Sequence, residues 1–286
     1  MAKTGSARQC FDGKLVIVTG GSKGIGLAFS ETVFALGAGV CMVARGPEGL
    51  EAARAVVERS RIRGDQVLET LACDTSDMGT LRPLLEGVAE RLGAPHFLVN
   101  CVGWSRPGYL EDLGLEVYRR HMEVNFFGQL VPILILLPSM LRAGRGHIVN
   151  VSSVLGFMGI MGFAAYCPSK YAVVGLTEAL RSELAPRGLT CSVAFPPDVD
   201  TPGYAEENKT KPPECAEMSK RGGLLSARET AEALVAGIAR GRFEILPGEA
   251  SRLRRLIRYL PGTVRSVMDR DLRKAREALR ARLERG

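Results

Sequence analysis

Leu15-Val16-Ile17-Val18-Thr19-Gly20-Gly21-Ser22-Lys23-Gly24-Ile25-Gly26 is the stretch that decides the fold. Its first five residues are a short, continuous, β-branched run, the pattern of a strand buried on both faces. Three glycines (20, 24 and 26) then let the chain turn tightly and bring its backbone close to an anion. A helix starting there offers free N–H groups and the positive end of its dipole to a pyrophosphate. A glycine-rich turn alone is weak evidence of a nucleotide site. Its place between a strand and a helix, at the head of a series of such units, makes it strong.

Working outward, short apolar runs alternate with helical patterns as far as residue 246. Strands are expected at residues 15–19, 39–44, 67–72, 97–102, 147–152, 190–195 and 243–246. Helices are expected near 25–36, 49–62, 77–92, 115–141, 166–186 and 227–240. This alternation predicts an α/β fold, a doubly wound parallel seven-stranded Rossmann sheet with helices on both faces. Residues 1–250 read as that one domain, and 251–286 as a basic helical tail. A chain of 286 residues buries enough surface to need no disulfide or metal staple. The seven cysteines lack metal-ligand spacing and fall mostly in apolar runs, which suits a reducing, cytoplasmic setting. The three histidines (96, 121 and 147) form no ligand cluster and read as structural. Residues 1–14 show no apolar leader. The longest apolar run, 130–141, carries prolines at 132 and 138 and falls short of the ~20 residues of a membrane span. The expectation is a soluble or peripheral protein.

The turn residues Gly20, Ser22, Lys23, Gly24, Ile25 and Gly26 are the expected phosphate-facing set. A site for NAD usually ends its second strand in Asp or Glu, which binds the ribose 2′-hydroxyl. Here that strand ends Val43-Ala44-Arg45, and Lys23 lies in the turn. Two cations suit a 2′-phosphate, so NADPH is the expected cofactor. Asp74, just past the third strand, is expected at the adenine edge. Asn100, in Asn100-Cys101-Val102-Gly103, is expected at the cofactor side of the sheet, tying the fourth strand to its neighbours.

The chemistry is expected further along. The fifth strand ends in Ser152-Ser153, Tyr166 follows 13 residues after Ser153, and Lys170 comes four later. Positions i and i+4 share a helix face, so phenol and ammonium can converge on cofactor and substrate. An ordinary tyrosine pKa of about 10 is too high for easy proton exchange, and a nearby cation lowers it. Ser153 would polarise a carbonyl. Asn125, a polar residue in an apolar helical stretch, reads as kinking that helix and holding a water that relays protons to Lys170.

With these residues the chain resembles the short-chain dehydrogenase/reductase family over residues 14–250. The resemblance implies catalysis by Asn125, Ser153, Tyr166 and Lys170, and the family's usual dimer or tetramer. A narrower likeness lies in Pro196-Pro197-Asp198-Val199-Asp200-Thr201-Pro202-Gly203, followed by Ala205-Glu206-Glu207-Asn208 and Thr210-Lys211-Pro212. It resembles the branch of that family that reduces the 3-ketone of a long-chain 2-amino-1-hydroxy-ketone with NADPH. Val199 and Thr201 would then hold the nicotinamide carboxamide, and the loop acids Asp198, Asp200, Glu206 and Glu207 would attract the substrate's ammonium. The eukaryotic members look anchored through an apolar N-terminus, which residues 1–14 lack, leaving a cytoplasmic or peripheral location (the cytosolic face of the endoplasmic reticulum in a eukaryote). Reduction of another long-chain, 3-oxoacyl or steroid ketone stands as the alternative, and a non-catalytic NADPH sensor as a third.

The net charge of +7 belongs to the tail, where residues 251–286 hold 12 basic against four acidic side chains. Leu253, Leu256, Ile257 and Leu260 fall at i, i+3, i+4 and i+7, with Val264, Val267 and Met268 after Pro261. This is a basic amphipathic helix. It suits an anionic membrane surface, or docking on the core or another subunit, and without interleaved aromatics it does not suit nucleic acid.

Overall fold

The computed structural model describes residues 2–219 and 223–284. Residues 220–222 of the expected substrate loop and 285–286 of the expected tail lie outside the described residues. The strands are β1 (Leu15–Thr19), β2 (Gly39–Ala44), β3 (Leu68–Ala72), β4 (Phe97–Asn100), β5 (Gly146–Val151) and β6 (Leu189–Ala194). Two short ones, β7 (Val199–Asp200) and β8 (Leu225–Ser226), pair only with each other, and β9 (Glu244–Ile245) closes the main sheet. That sheet is seven-stranded and parallel, in the order β3-β2-β1-β4-β5-β6-β9. The strand order reverses between β1 and β4, which opens a crevice at their carboxyl ends.

Around the sheet run α1 (Ala2–Phe11), α2 (Gly24–Phe34), α3 (Pro47–Glu58), α4 (Met78–Leu92), α5 (Leu115–His121), α6 (Gly128–Ala143) and α7 (Tyr166–Leu184). Further on come α8 (Pro202–Asn208), α9 (Pro213–Ser219), α10 (Ala227–Ala239), α11 (Ala250–Tyr259) and α12 (Pro261–Leu283). All five residues of β1 are buried. The two-residue pleat sends Val16 and Val18 to the cluster with Phe11, Phe29 and Phe34, and Ile17 to the one with Leu81, Leu136 and Met140. A strand buried at every position is thereby the centre of a three-layer domain.

Four features differ from the sequence expectation. The N-terminal stretch forms α1, whose Phe11 is fully buried and stacks near Phe97 at 4.7 Å between ring centres. The helix expected over 115–141 is three pieces, with a π-helical turn at Met122–Phe127 joining α5 to α6. By length and composition the whole stretch Leu115–Ala143 could cross a membrane, with a mean hydropathy of 1.8 over 18 residues. Its apolar side chains, among them Val131, Ile133 and Leu136, are instead packed with those of α4 and β4 in the core. The stretch 196–223, expected from its Pro, Glu and Lys content as a substrate loop, a lid or a disordered segment, folds over its described residues into β7, α8 and α9.

The tail's apolar stripe is divided. Leu253 and Ile257 of α11 pack on Phe157 and Phe195, while Leu256, Leu260 and Val267 stay exposed. Arg254 ties α11 down, binding Glu244 at 2.6 Å and lying over both Phe157 and Phe195. Helix α12 rests on α9 through Arg276–Glu214 (3.4 Å) and Arg282–Glu217 (3.2 Å).

Candidate active site

The glycine turn lies at the carboxyl end of β1. Gly20 and Gly24 have φ of +68° and +58°, a region that side chains with a Cβ avoid. A Cβ on Gly20 would stand 2.8 Å from the Val102 amide nitrogen, and one on Gly26 would run into the Gly20 carbonyl oxygen. Only glycine lets α2 start this close to the sheet. Lys23 precedes α2 in an extended conformation and makes no side-chain cap, so the first-turn N–H groups stay free to meet an anion. Ser22 is half-buried beside it, and Ile25 reaches the central cavity. Arg45 is exposed directly after β2, without an ion-pair partner among the described residues. Asp74 is half-buried past β3, its Oδ1 accepting from Ser76 N (3.0 Å) and Oγ (2.8 Å).

Asn100 is placed differently from the rest of the cofactor set. It is fully buried, accepts from Thr19 Oγ1 at 3.1 Å, and donates to Asn150 Oδ1 at 2.9 Å and the Gln129 carbonyl at 3.2 Å. Its amide ties β4 to β1 and β5, which leaves no donor for a cofactor. This is the tie between the fourth strand and its neighbours that its place in the sequence predicts.

The fifth strand and α7 bring the other residues together. Tyr166 opens α7, and Lys170 one turn on holds Nζ 5.7 Å from the centre of the Tyr166 ring. That ammonium donates to the Val151 carbonyl at 3.0 Å. Asn125 sits in the π-turn, where its Oδ1 accepts from Trp104 N at 2.7 Å. Its Nδ2 donates to the Trp104 carbonyl at 3.0 Å and to Ser169 Oγ at 2.9 Å. The mid-helix amide is satisfied because the wider turn aims it at the neighbouring loop. Gly103 separates the two groups: a Cβ there would be 3.4 Å from Lys170 Nζ and 3.7 Å from Asn125 Oδ1. Ser153 lies beside Tyr166, its Oγ accepting from Leu155 N at 3.1 Å. The rings of His121 and Phe163 flank Tyr166, each 6.0 Å away.

Electrostatics overturn one expectation. Burial pushes the Tyr166 phenol well above its ordinary value, the Glu207 carboxylate adds to this, and Ser153 pulls the other way. Lys170 is not the group that sets the phenol. Its own ammonium is lowered by burial to about 8. The cause is desolvation, which penalises the charged form of both groups and outweighs a cation that is itself poorly solvated.

A cavity of about 650 Å³ opens from Tyr166, Lys170 and Ser153. Its walls are largely apolar: Leu155, Met158, Ile160 and Phe163 on one side, Leu225, Leu253 and Leu256 on the other. Val199, buried in β7, and Thr201 both line it. Thr201 caps α8 by accepting from Tyr204 N at 3.1 Å, and its methyl faces Gly24, which joins the lid (β7, α8 and α9) to the glycine turn. Of the four loop acids, Asp198 and Glu207 reach the cavity. Asp200 and Glu206 do not: both are exposed, and Glu206 pairs with Lys209 at 2.6 Å. Sequence reasoning passed over Lys211, whose Nζ meets Glu207 Oε1 at 3.1 Å, although the i,i+4 spacing was a usable signal.

A glycine turn on a helix N-terminus, with serine, tyrosine and lysine between the end of β5 and the first turns of α7, is the site of an oxidoreductase. Residues 14–212 match the family model of the short chain dehydrogenase, and the chain belongs to that family. Its relatives include the 3-dehydrosphinganine reductase of Danio rerio, 37% identical over 81% of this chain and 70% of that one. The 3-ketodihydrosphingosine reductase of Dictyostelium discoideum is 36% identical over 82% of this chain and 74% of its own length. Among solved structures, levodione reductase superposes with a TM-score of 0.77 at 26% identity, covering 85% of this chain and 99% of its own. A short-chain dehydrogenase/reductase from Burkholderia phymatum, in complex with NAD, gives 0.77 at 27% identity over 89% and 96%.

Proposed function

We propose that this chain reduces 3-ketodihydrosphingosine at its 3-ketone, with NADPH as the reductant, giving dihydrosphingosine. The observation that carries the reading is a cluster of half-buried Tyr166 with buried Ser153 and Lys170, lining a cavity whose walls are largely apolar. The likeness to the sphingoid-ketone reductases supports the same substrate.

The bound nicotinamide would supply the hydride. The free N–H groups at the start of α2 would take its pyrophosphate, Lys23 and Arg45 its 2′-phosphate, and Val199 and Thr201 its carboxamide. Asp74 would meet the adenine edge. Ser153 would hydrogen-bond the substrate ketone, and Tyr166 would donate the proton that completes the alcohol. A phenol whose burial keeps it protonated suits a donor in the reductive direction. Lys170 would hold the cofactor ribose side of the site and return a proton to Tyr166. The gap beside Gly103 gives room for a relaying water between Asn125 and Lys170.

Residues 1–250 would form the reductase domain, with residues 196–223 as its substrate loop and 251–286 as a tail. The exposed Leu256 and Leu260 stand among the arginines of α11 beside the cavity mouth, which supports peripheral contact with an anionic membrane by an otherwise cytoplasmic protein. Flotation of the full chain with anionic liposomes, against a 1–250 truncation, tests this; equal failure to float refutes it. Exposed Phe127 and Leu134, seven residues apart on one helical face, support a homo-oligomer.

The decisive assay is NADPH oxidation with 3-ketodihydrosphingosine beside a 3-ketoacyl thioester. Preference for the thioester would move the assignment to the 3-oxoacyl alternative, and no turnover of any ketone would leave the sensor reading.

A further inference from the structure

Lys211 already shows what one corner of the cavity recognises. Its Nζ is a primary alkylammonium, with a side chain only 2% exposed, and it meets Glu207 Oε1 at 3.1 Å. Two aromatic faces complete its surroundings, Tyr204 at 4.6 Å and Phe163 at 5.9 Å. Carboxylate plus aromatic faces is the usual chemistry for holding an amine cation away from water.

The charge count leaves room for a second one. Asp198 lies next to this cage, taking the Tyr204 hydroxyl at 3.2 Å, and also lines the cavity. Lys211 pairs with Glu207, and among the described residues no cation makes an ion pair with Asp198, so one half-buried carboxylate of the cage is left without a cationic partner. Such charges are costly unless something pairs with them. The Glu207 carboxyl is raised chiefly by burial, with Lys211 and the Ser105 hydroxyl opposing and Asp198 adding. The cage shares its cavity with the chemistry, since Asp198, Glu207 and Lys211 line the same space as Tyr166 and Ser153.

Resting on the functional reading above, we propose that Glu207 and Asp198 form a subsite for the substrate's 2-ammonium group, next to the ketone held by Tyr166 and Ser153. The class of ligand is an α-amino ketone carrying a long alkyl chain, and the subsite separates it from neutral ketones of the same length. Asp200 and Glu206, which face away from the cavity, take no part. Lys211 is a positioning residue: it holds Glu207 in place and fills the cage's other half.

The test compares 3-ketodihydrosphingosine with the deaminated 1-hydroxy-3-ketone of equal chain length, using full-length protein and NADPH. The readout is the ratio of their kcat/KM values. Glu207→Gln is expected to lower that ratio at least tenfold, chiefly through KM of the amino ketone, the size of a lost charged hydrogen bond. Because Glu207→Gln leaves Lys211 buried alone and can disturb its surroundings, Asp198→Asn is measured beside it. It leaves the Lys211–Glu207 pair intact and removes the unpaired carboxylate, and its ratio must fall as well. A ratio within twofold of the unsubstituted protein in both variants overturns the subsite while leaving the reductase assignment intact. Failure of the unsubstituted protein to reduce either ketone overturns both together.

Discussion

Lys170 offers a test of the site that needs neither cofactor nor substrate. Its ammonium is buried and lowered to about 8 from an ordinary 10.5. In the unfolded chain the same group keeps its proton until the pH approaches 10.5. Between those values the unfolded state binds more protons than the folded one, so this residue makes the fold more stable as pH rises. Below pH 8 both states are protonated and the gain is absent. Linkage from these two values gives about 2 kcal/mol of added stability between pH 7 and pH 9.5. Other groups act in the opposite sense over that range. The buried thiols of Cys41, Cys101 and Cys191 are each raised to about 12, so the folded state resists their ionisation and loses stability as pH rises.

A Lys170→Met variant isolates the lysine. Methionine keeps most of the volume and has no titrating group, and the thiols and Tyr166 contribute equally to both proteins. Urea unfolding of the cofactor-free chain and of the variant, at pH 7, 8, 9 and 9.5, gives a stability difference at each pH. The loss of the hydrogen bond to Val151 shifts all four values by one amount. The stability of the parent relative to the variant is expected to climb by about 2 kcal/mol across the series. A flat difference would refute the reasoning, because it would mean that Lys170 titrates as a solvated lysine.

Tyr166→Phe is expected to lower kcat for ketone reduction by ~10²–10⁴-fold with little change in NADPH affinity by fluorescence titration, since only the proton donor is lost. Arg45→Asp is expected to raise the KM for NADPH about tenfold or more and to improve use of NADH, by removing a cation from the 2′-phosphate and supplying a ribose acceptor. Ile257→Ala should cost about 1–3 kcal/mol, read as a melting temperature lower by about 2–10 °C, because α11 docks on Phe157 and Phe195 through that side chain. An unchanged melting temperature would mean that the tail is not part of the folded domain.

What the sequence made legible was local. The β1–turn–α2 unit is written in contiguous residues, and its glycines are dictated by a turn that closes on itself at Gly20 and Gly26. Tyr166 and Lys170 share a helix face by spacing alone. What escaped depends on partners far along the chain or on elements too short for periodicity. Helices α8 and α9 are seven residues each, and only the Thr201-Pro202 start and Pro213 mark them. Phe11 sits in a polar stretch, and its helix is fixed by packing against Phe29 and Phe97. For Asn100 the strand-end position indicated a tie between neighbouring strands, and only the fold identifies Thr19 and Asn150 as the partners of its amide.

The state of Tyr166 shows why a motif and a mechanism are different kinds of information. Tyr-x-x-x-Lys fixes which two groups meet, and that much follows from 3.6 residues per turn. It does not fix their pKa values, because those depend on what covers the pair. Here the cover is the lid, whose Glu207 bears on the phenol, and the close packing around Lys170. Desolvation therefore pushes phenol and ammonium in opposite protonation senses, and in the cofactor-free chain burial outweighs the activating charge that spacing suggests. A reductase working toward the alcohol gains from this arrangement, since its donor stays protonated until the ketone arrives. On the subsite proposed above, an amine cation beside Glu207 would offset that carboxylate's charge and draw the phenol back down, which would couple recognition of the amino group to release of the proton.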